Sequence, residues 1–422
     1  MKWEKKILSE IANNIQTGPF GSQLHQSDYS ETGIPVVMPK NLLNGSILEN
    51  DIARVDETHV ERLSRHIIQN GDILYSRRGD VGKCAYTTHK EEGWLCGTGC
   101  LRVSINEKIA NSKFVFYQLQ KKETIGWVEK HAVGSTMLNL NTSILGMVPI
   151  ETPDLETQEK IVSILSAYDN LIENNQKQIK LLEEAAQRLY KEWFVDLRFP
   201  GHENVKIVDG VPEGWSKVQL QELIDFDIGG GWGEEAQSAT SEIPAYVIRG
   251  TDFEDIINGN FTLLPFRYHK KSNYESRKLQ GGDIVFEVSG GSKNEGVART
   301  LLVSKELLSS LNDSVICASF CKLVRPKKGF SQYLFDTFKF MRYAHITEQY
   351  DKRSASSIVN YRWQDFIAQE LISVPDTVTL SKYTSLLENI SQAIMSRVRV
   401  ITLAKEARDR LLPKLMSGEI EV

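Results

Sequence analysis

The chain has 422 residues, enough for two domains with cores of their own, and its net charge of −5 argues mildly against a nucleic-acid partner. DNA binding depends on a local basic face rather than on the net charge, so this argument excludes little. The five cysteines form no secreted framework, and no apolar run is long enough to span a membrane. We therefore expect a soluble cytoplasmic protein without a membrane partner.

One pattern occurs twice along the chain, and the second copy follows the first by roughly 210 to 226 residues. The matching segments are 34–37 with 243–246, 69–74 with 280–285, 96–103 with 317–324, and 147–149 with 373–375. Because loops tolerate insertions, the drifting offset is typical of two diverged copies of one fold. We expect an α/β (α+β) chain that contains two similar domains.

Each copy is followed by a predicted helix with apolar residues at the a and d positions of successive heptads. In the first helix these positions are Ile161, Leu165, Tyr168, Ile172, Asn175, Ile179, Leu182, Ala186, Leu189 and Trp193. In the second helix they are Tyr383, Leu387, Ile390, Ile394, Arg397, Ile401, Ala404, Arg408, Leu411 and Leu415. Two unrelated core helices are the plain alternative, but a shared register over about four and a half heptads favours a coiled coil.

The connectivity predicts how the two helices meet. The second copy follows the far end of the first helix, so the second helix must run back antiparallel in order to pair with it. Polar Asn175 and Arg397 interrupt the apolar seam near its centre, either to fix the register or as a solvated defect. A helix of this length spans roughly 50 Å, so the pair would hold the two copies apart.

The sequence contains no recognisable catalytic constellation. No two prolines are adjacent, so the Asn/Asp-Pro-Pro-aromatic loop that enzymes use for methyl transfer to amino groups is absent. The sequence also lacks a phosphate-binding loop and the His-Glu-x-x-His and Gly-x-Ser-x-Gly motifs. Cys96 with Cys100 and Cys317 with Cys321 could supply thiolates to zinc, but the spacing is unusual and the pairs lie in separate copies. We expect buried structural thiols, with no catalytic and no metal-binding residues.

Two segments at the ends of the predicted helices carry a family resemblance. Residues 189–201, Leu-Tyr-Lys-Glu-Trp-Phe-Val-Asp-Leu-Arg-Phe-Pro-Gly, resemble the central signature of specificity subunits of type I restriction-modification systems. Residues 411–420, Leu-Leu-Pro-Lys-Leu-Met-Ser-Gly-Glu-Ile, resemble their closing signature. That family has two target-recognition domains, each followed by a long helix. The implied bounds are 1–156 and 199–378 for the recognition domains and 157–198 and 379–422 for the spacer helices.

The resemblance implies a non-catalytic DNA-recognition subunit. Each domain would read one half of a bipartite asymmetric target in double-stranded DNA, and the helical pair would set the unread spacer. Two methyltransferase subunits would dock on the chain and methylate adenine with S-adenosylmethionine, and two restriction subunits would add an endonuclease that requires ATP and Mg²⁺. The chain itself would bind no cofactor. The alternative is a scaffold that binds partner subunits without reading DNA, which the acidic balance supports.

Candidate DNA-reading residues lie in loops at matching places in both copies, where arginine, lysine and glycine suit contact with bases and phosphates. In the first copy they are Thr17, Gly18, Gly21, Ser22, Lys40, Arg77, Arg78, Ser135 and Thr136. In the second copy they are Gly230, Trp232, Arg249, Ser292, Lys293, Lys352 and Arg353. For any one of them a solvated turn is an equally good interpretation, whereas the paired loops as a set favour DNA contact.

Overall fold

The computed structural model of the chain describes residues 3–49, 51–134, 138–290, 296–312, 314–353 and 359–422. Its residue contacts form two compact units. The first unit contains residues 1–170 together with 404–422, and the second contains 171–403. Both long helices therefore contribute residues to both units.

The first unit is a mixture of short strands and helices. Its strands are Glu4–Ile7, Ala12–Thr17, Ile34–Val37, Leu42–Leu43, Ser46–Ile47, Ala53–Val55, Ile73–Ser76, Cys84–Tyr86, Leu95–Cys96, Cys100–Ile105 and Pro149–Thr152. Its α-helices are Leu8–Ile11, Glu57–Arg62, Ser112–Leu119, Lys122–His131 and Thr142–Gly146, followed by the start of the long helix Leu155–Tyr190. Asparagine begins two of these helices, since the side chains of Asn111 and Asn141 accept hydrogen bonds from backbone N–H groups of the first turn.

The second unit has the same mixture. Its strands are Ile207–Val208, Val211–Pro212, Ser216–Gln219, Ile224–Gly229, Ile243–Ile248, Phe266–His269, Ile284–Glu287, Ser289–Gly290, Thr300–Leu302, Val315–Cys317, Cys321–Pro326, Asp351–Arg353, Val359–Tyr361 and Leu371–Val374. Its α-helices are Phe253–Ile257, Lys271–Arg277, Lys305–Ser310, Ser331–Tyr343 and Trp363–Gln369, followed by the long helix Thr377–Ser417, which ends in the first unit.

The sheets of the two units have the same topology. The four-stranded antiparallel sheet of the first unit has the order Ala12–Thr17, Cys100–Ile105, Ile73–Ser76, Cys84–Tyr86. The equivalent sheet of the second unit has the order Ile224–Gly229, Cys321–Pro326, Ile284–Glu287, Thr300–Leu302. A three-stranded sheet in each unit has a middle strand that pairs antiparallel with one neighbour and parallel with the other. The predicted repeat of one α/β fold is confirmed.

A buried ion pair recurs in both four-stranded sheets. In the first unit Arg102 Nη1 lies 3.0 Å from Asp72 Oδ2, and in the second Arg325 Nη2 lies 2.7 Å from Asp283 Oδ2. Each aspartate is almost fully buried and also accepts a hydrogen bond from the backbone N–H three residues before it. The pair thus fastens the turn before one strand to the neighbouring strand, and removing the arginine would leave the buried aspartate charge uncompensated.

The two long helices run antiparallel inside each unit. In the first unit Arg408 Nη1 donates to Asp169 Oδ1 at 2.9 Å, and Leu415 shares a core with Ile161 and Leu165. In the second unit the rings of Trp193 and Tyr383 lie 5.8 Å apart, and Arg397 Nε donates to Gln178 Oε1 at 2.7 Å. Of the residues at predicted a and d positions, Ile161, Ile172, Ile179 and Ile401 are buried, whereas others, such as Leu182 and Ile394, are half-buried.

The cysteines lie inside the cores, as we expected of structural thiols. All five are free and buried. Burial raises the pKa of the Cys96 and Cys317 thiols to about 12, so both are neutral and unreactive at physiological pH. Within the described ranges, no group of three His, Cys, Asp or Glu side chains is arranged to hold a metal ion.

Candidate nucleic-acid interface

Three of the predicted loops meet at one end of the four-stranded sheet in the first unit. The N–H of Gly18 donates to Cys100 O at 2.9 Å, and the N–H of Arg77 donates to Gly99 O at 2.8 Å. The N–H of Leu140 in turn donates to Arg77 O at 2.8 Å. Loops that are distant in sequence therefore form one surface, held together by backbone hydrogen bonds.

The second unit builds the same surface with equivalent bonds. The N–H of Gly230 donates to Cys321 O at 2.9 Å, and the N–H of Val288 donates to Phe320 O at 3.0 Å. The N–H of Tyr361 donates to Val288 O at 2.8 Å. These three bonds correspond one for one to the three in the first unit.

The third loop of each surface is attached through an asparagine. In the first unit Asn139 forms isolated β-bridges with both Arg78 and Val133. In the second unit Asn360 pairs with both Ser289 and Lys352, and its Oδ1 accepts a hydrogen bond from the Ser289 hydroxyl at 3.0 Å. Lys352 is thus equivalent to Val133. The surface of the second unit therefore has a cation at a position where the surface of the first unit has an apolar side chain.

Gly18 and Gly230, which are equivalent residues of the two opening loops, are required by the fold. A Cβ on Gly18 would lie 2.0 Å from Gly97 O, and a Cβ on Gly230 would lie 2.1 Å from Ala318 O. A larger side chain at either position would push the loop away from the strand beside it. Gly21, by contrast, has open space around it.

The remaining predicted residues differ in their solvent exposure and in whether their polar groups already have a hydrogen-bond partner in the protein. Ser22 and Arg78 are exposed, and Thr17 is half-buried. Lys40 Nζ donates to Asp51 O at 2.8 Å. Arg249 donates to both carboxylate oxygens of buried Asp252, and this carboxylate raises the pKa of the guanidinium. A base-reading role for Arg249 would require breaking that pair.

Some predicted positions lie outside the described residues. These are Ser135, Thr136, Ser292 and Lys293. Arg353 is the last residue of the strand Asp351–Arg353.

Sequence reasoning missed several side chains of these surfaces. Phe20 is 54% exposed and lies under the guanidinium of Arg77, with 5.6 Å between Cζ and the ring centroid. The Cζ atom of Arg267 lies 5.0 Å from the centroid of the Trp232 ring. Phe320 is 56% exposed, and its backbone O accepts a hydrogen bond from the N–H of Ser289. One signal was available, because Phe20 and Trp232 both stand two residues after the matching glycines.

No helix in the described ranges combines the length and the apolar character that a membrane crossing requires.

Residues 1–184 match the family described as the type I restriction modification DNA specificity domain. The chain is 26% identical to the type I restriction enzyme MjaIX specificity subunit of Methanocaldococcus jannaschii, over 100% of this chain and 94% of that protein. The putative type I restriction enzyme MjaX specificity subunit of the same organism is 27% identical over 57% of each chain.

The fold also has a solved relative. The crystal structure of the type I restriction-modification system S subunit from M. genitalium superimposes with a TM-score of 0.53 at 14% identity, over 98% of this chain and 96% of that chain. This likeness concerns the fold, whereas the sequence similarity extends along the whole chain. Together with the signatures at 189–201 and 411–420, these findings show that residues 1–184 form a type I restriction-modification DNA specificity domain and that the chain is similar along its whole length to specificity subunits of such systems.

Proposed function

We propose that each recognition domain reads one half of a bipartite asymmetric DNA target, while the two long helices set the length of the unread spacer. The observation that carries this proposal is the loop surface that both units build with matching backbone hydrogen bonds. A surface that is kept in both copies, while its side chains differ, suits two readers of different base sequences.

The chemistry of the two surfaces supports contact with DNA. The first offers Ser22, Arg77 and Arg78, and the second offers Trp232 and Lys352. Cations and hydroxyls at loop ends bind phosphates, and arginine can also bind base edges in the major groove. Gly21, with open space beside it, lets the backbone come close to the duplex, whereas Gly18, which is buried, and Gly230 keep each loop against its neighbouring strand.

The helices are proposed to carry the partner subunits. Large apolar side chains on their outer faces, which are 43% to 63% exposed, are Leu171, Leu181, Leu386 and Leu403. Exposed apolar groups on a polar surface are typical of protein interfaces. Two methyltransferase subunits would dock there, and two restriction subunits would complete an endonuclease.

The chemistry of modification and cleavage is assigned to those partners. This chain would be non-catalytic, and S-adenosylmethionine, ATP and Mg²⁺ would be bound by the other subunits. The expected cytoplasmic location would give the complex access to chromosomal DNA.

Methylome sequencing tests the proposal. Cells that express the chain together with an adenine methyltransferase subunit are compared with cells that express the methyltransferase alone. We expect a new bipartite motif, methylated at adenine in both halves, only when the chain is present. A stable complex that produces no motif would instead support a scaffold that does not read DNA.

A further inference from the structure

Each unit holds an arginine against an aromatic ring from its first loop. The ring of Phe20 lies 5.6 Å from Arg77 Cζ, and the ring of Trp232 lies 5.0 Å from Arg267 Cζ. The two rings are equivalent, because each stands two residues after a glycine, Gly18 or Gly230, that makes the same backbone hydrogen bond. The aromatic position is therefore shared by both copies.

The two arginines, in contrast, come from different elements. Arg77 directly follows the strand Ile73–Ser76, whereas Arg267 lies within the strand Phe266–His269. Inheritance from one ancestral domain would place equivalent residues at equivalent positions. The same placement of a guanidinium over a ring, reached with arginines from non-equivalent positions, favours a purpose beyond folding.

Both guanidinium groups have a donor that the described part of the chain does not satisfy. The Nε atoms of Arg77 and Arg267 are buried, and neither has a hydrogen-bond partner among the described residues. The arginines of the buried ion pairs differ, since Arg325 donates through Nε and Nη2 to both oxygens of Asp283. A buried donor without an acceptor is uncommon in folded proteins, so each guanidinium keeps hydrogen-bonding capacity that the described residues do not use.

The surroundings favour a neutral base edge over a phosphate as the acceptor that uses this capacity. Contact with an aromatic ring restricts the orientation of a guanidinium, which matters for a bidentate contact and much less for attraction to a phosphate charge. Arg267 Nη1 also lies 2.8 Å from a carboxylate oxygen of Glu235, whose side chain is 87% exposed. This carboxylate offsets the positive charge of Arg267 and disfavours a phosphate beside it.

We infer that Arg77 and Arg267 each read one guanine, in different halves of the target, by donating two N–H groups to O6 and N7 in the major groove. The inference rests on the proposed function, because it identifies the base that each surface recognises. Phe20 and Trp232 are positioning residues that hold the guanidinium planes.

The experiment determines the methylated motif for the full chain assembled with its methyltransferase partner. Arg77→Gln is expected to lower the preference for one guanine in one half-site by about tenfold or more, with the other half-site unchanged. Arg267→Gln is expected to do the same in the other half-site. The matched control is Arg78→Gln, an exposed neighbour of Arg77, which should weaken modification at all sites equally without changing the motif.

The outcomes separate the inference from the proposed function. If the wild-type chain gives no motif, the proposed function fails. If the wild-type motif appears but one half-site contains no G·C pair, or if both glutamine variants keep every base preference, the inference is overturned and the proposed function stands.

A second pair of variants covers the case in which a glutamine variant does not assemble. Phe20→Leu and Trp232→Leu replace side chains that are 54% and 38% exposed, so the fold should tolerate them. Each is expected to lower the preference for the same guanine several-fold, because the guanidinium loses its support. Unchanged preferences in both leucine variants would overturn the inference.

Discussion

Gly18 and Gly230 are fixed by the fold, and we propose that the loops they hold in place read DNA. The sequence indicates glycine-rich loops, and such loops are equally typical of turns and of DNA contact. The structure adds the carbonyl oxygens of Gly97 and Ala318, which leave no room for a Cβ. The sequence could not reveal this restriction, because it depends on a loop about 80 residues further along the chain.

Gly18→Ala is therefore expected to lower the free energy of unfolding by about 2–3 kcal/mol, since the new Cβ would overlap Gly97 O. Chemical denaturation followed by circular dichroism measures this change. Gly21→Ala is the matched control, with an expected change within about 0.5 kcal/mol, because nothing lies near its Cβ position. Equal effects of the two substitutions would contradict the explanation.

The carboxyl group of Asp336 makes stability depend on pH. It is 4% exposed and accepts hydrogen bonds from Gln332 and Tyr383, and burial raises its pKa to about 6 from an ordinary value near 3.8. The folded chain thus holds this proton more tightly than the unfolded chain. The stabilisation is fully present below about pH 4 and is lost as the pH rises through 6.

Between pH 4 and pH 8, we expect the free energy of unfolding of the wild-type chain to fall by about 3 kcal/mol more than that of the Asp336→Asn variant. The asparagine does not titrate but can still accept the Tyr383 hydrogen bond. Denaturant titrations of both chains across this pH range measure the difference. Parallel pH profiles would show that the carboxyl group does not titrate as described.

At the scale of elements, the helices could be predicted from sequence better than their ends. The heptad pattern indicates which side chains face the core, and Ile161, Leu165 and Ile401 are indeed buried. The end of the first helix is different, because the α-helix stops at Tyr190 and residues Lys191–Val195 form a π-helical turn. A strict heptad pattern cannot predict this wider turn.

The π-helical turn explains the central signature. Trp193 and Phe194 are consecutive, yet each is only 6% exposed. An extra residue in the turn lets both side chains reach the same core, where the Phe194 ring lies 4.7 Å from Tyr383 and 4.9 Å from Tyr333. The closing signature has a similar role in the first unit, where Leu415 and Met416 are buried.

Leu415→Ala is expected to destabilise the first unit by about 2–5 kcal/mol, because its side chain is 1% exposed and would leave a cavity beside Ile161 and Leu165. Denaturation curves of the purified chain give this value. Leu403→Ala, on the same helix but 55% exposed, serves as the control and should change stability by less than about 0.5 kcal/mol. A small effect at Leu415 would mean that the closing signature is not needed for folding.

The polar residues of the helical seam were predicted with two open interpretations. Asn175 Nδ2 donates to Leu171 O in its own helix, whereas Arg397 Nε donates across to Gln178. Arg397 therefore suits a role in fixing the register of the pair, and Asn175 is satisfied locally. Such partners depend on tertiary contacts, so the spacing of residues in the sequence could not distinguish them.

We propose that, in the whole molecule, the two long helices act as a ruler that sets the distance between the two reading surfaces. Removing residues 173–179 together with the facing residues 397–403 keeps the heptad register of both helices. Seven residues correspond to about 10 Å of helix, or about three base pairs of DNA. Removing 173–179 alone is the control, because it mismatches the two helices and should prevent assembly.

The most direct measurement is the methylated motif of this paired deletion, expressed with the methyltransferase partner and compared with the motif of the intact chain. We expect both half-sites to keep their bases and the unread spacer to become shorter by about three base pairs. Altered bases in either half-site, or an unchanged spacer in an assembled and active complex, would contradict the proposed ruler.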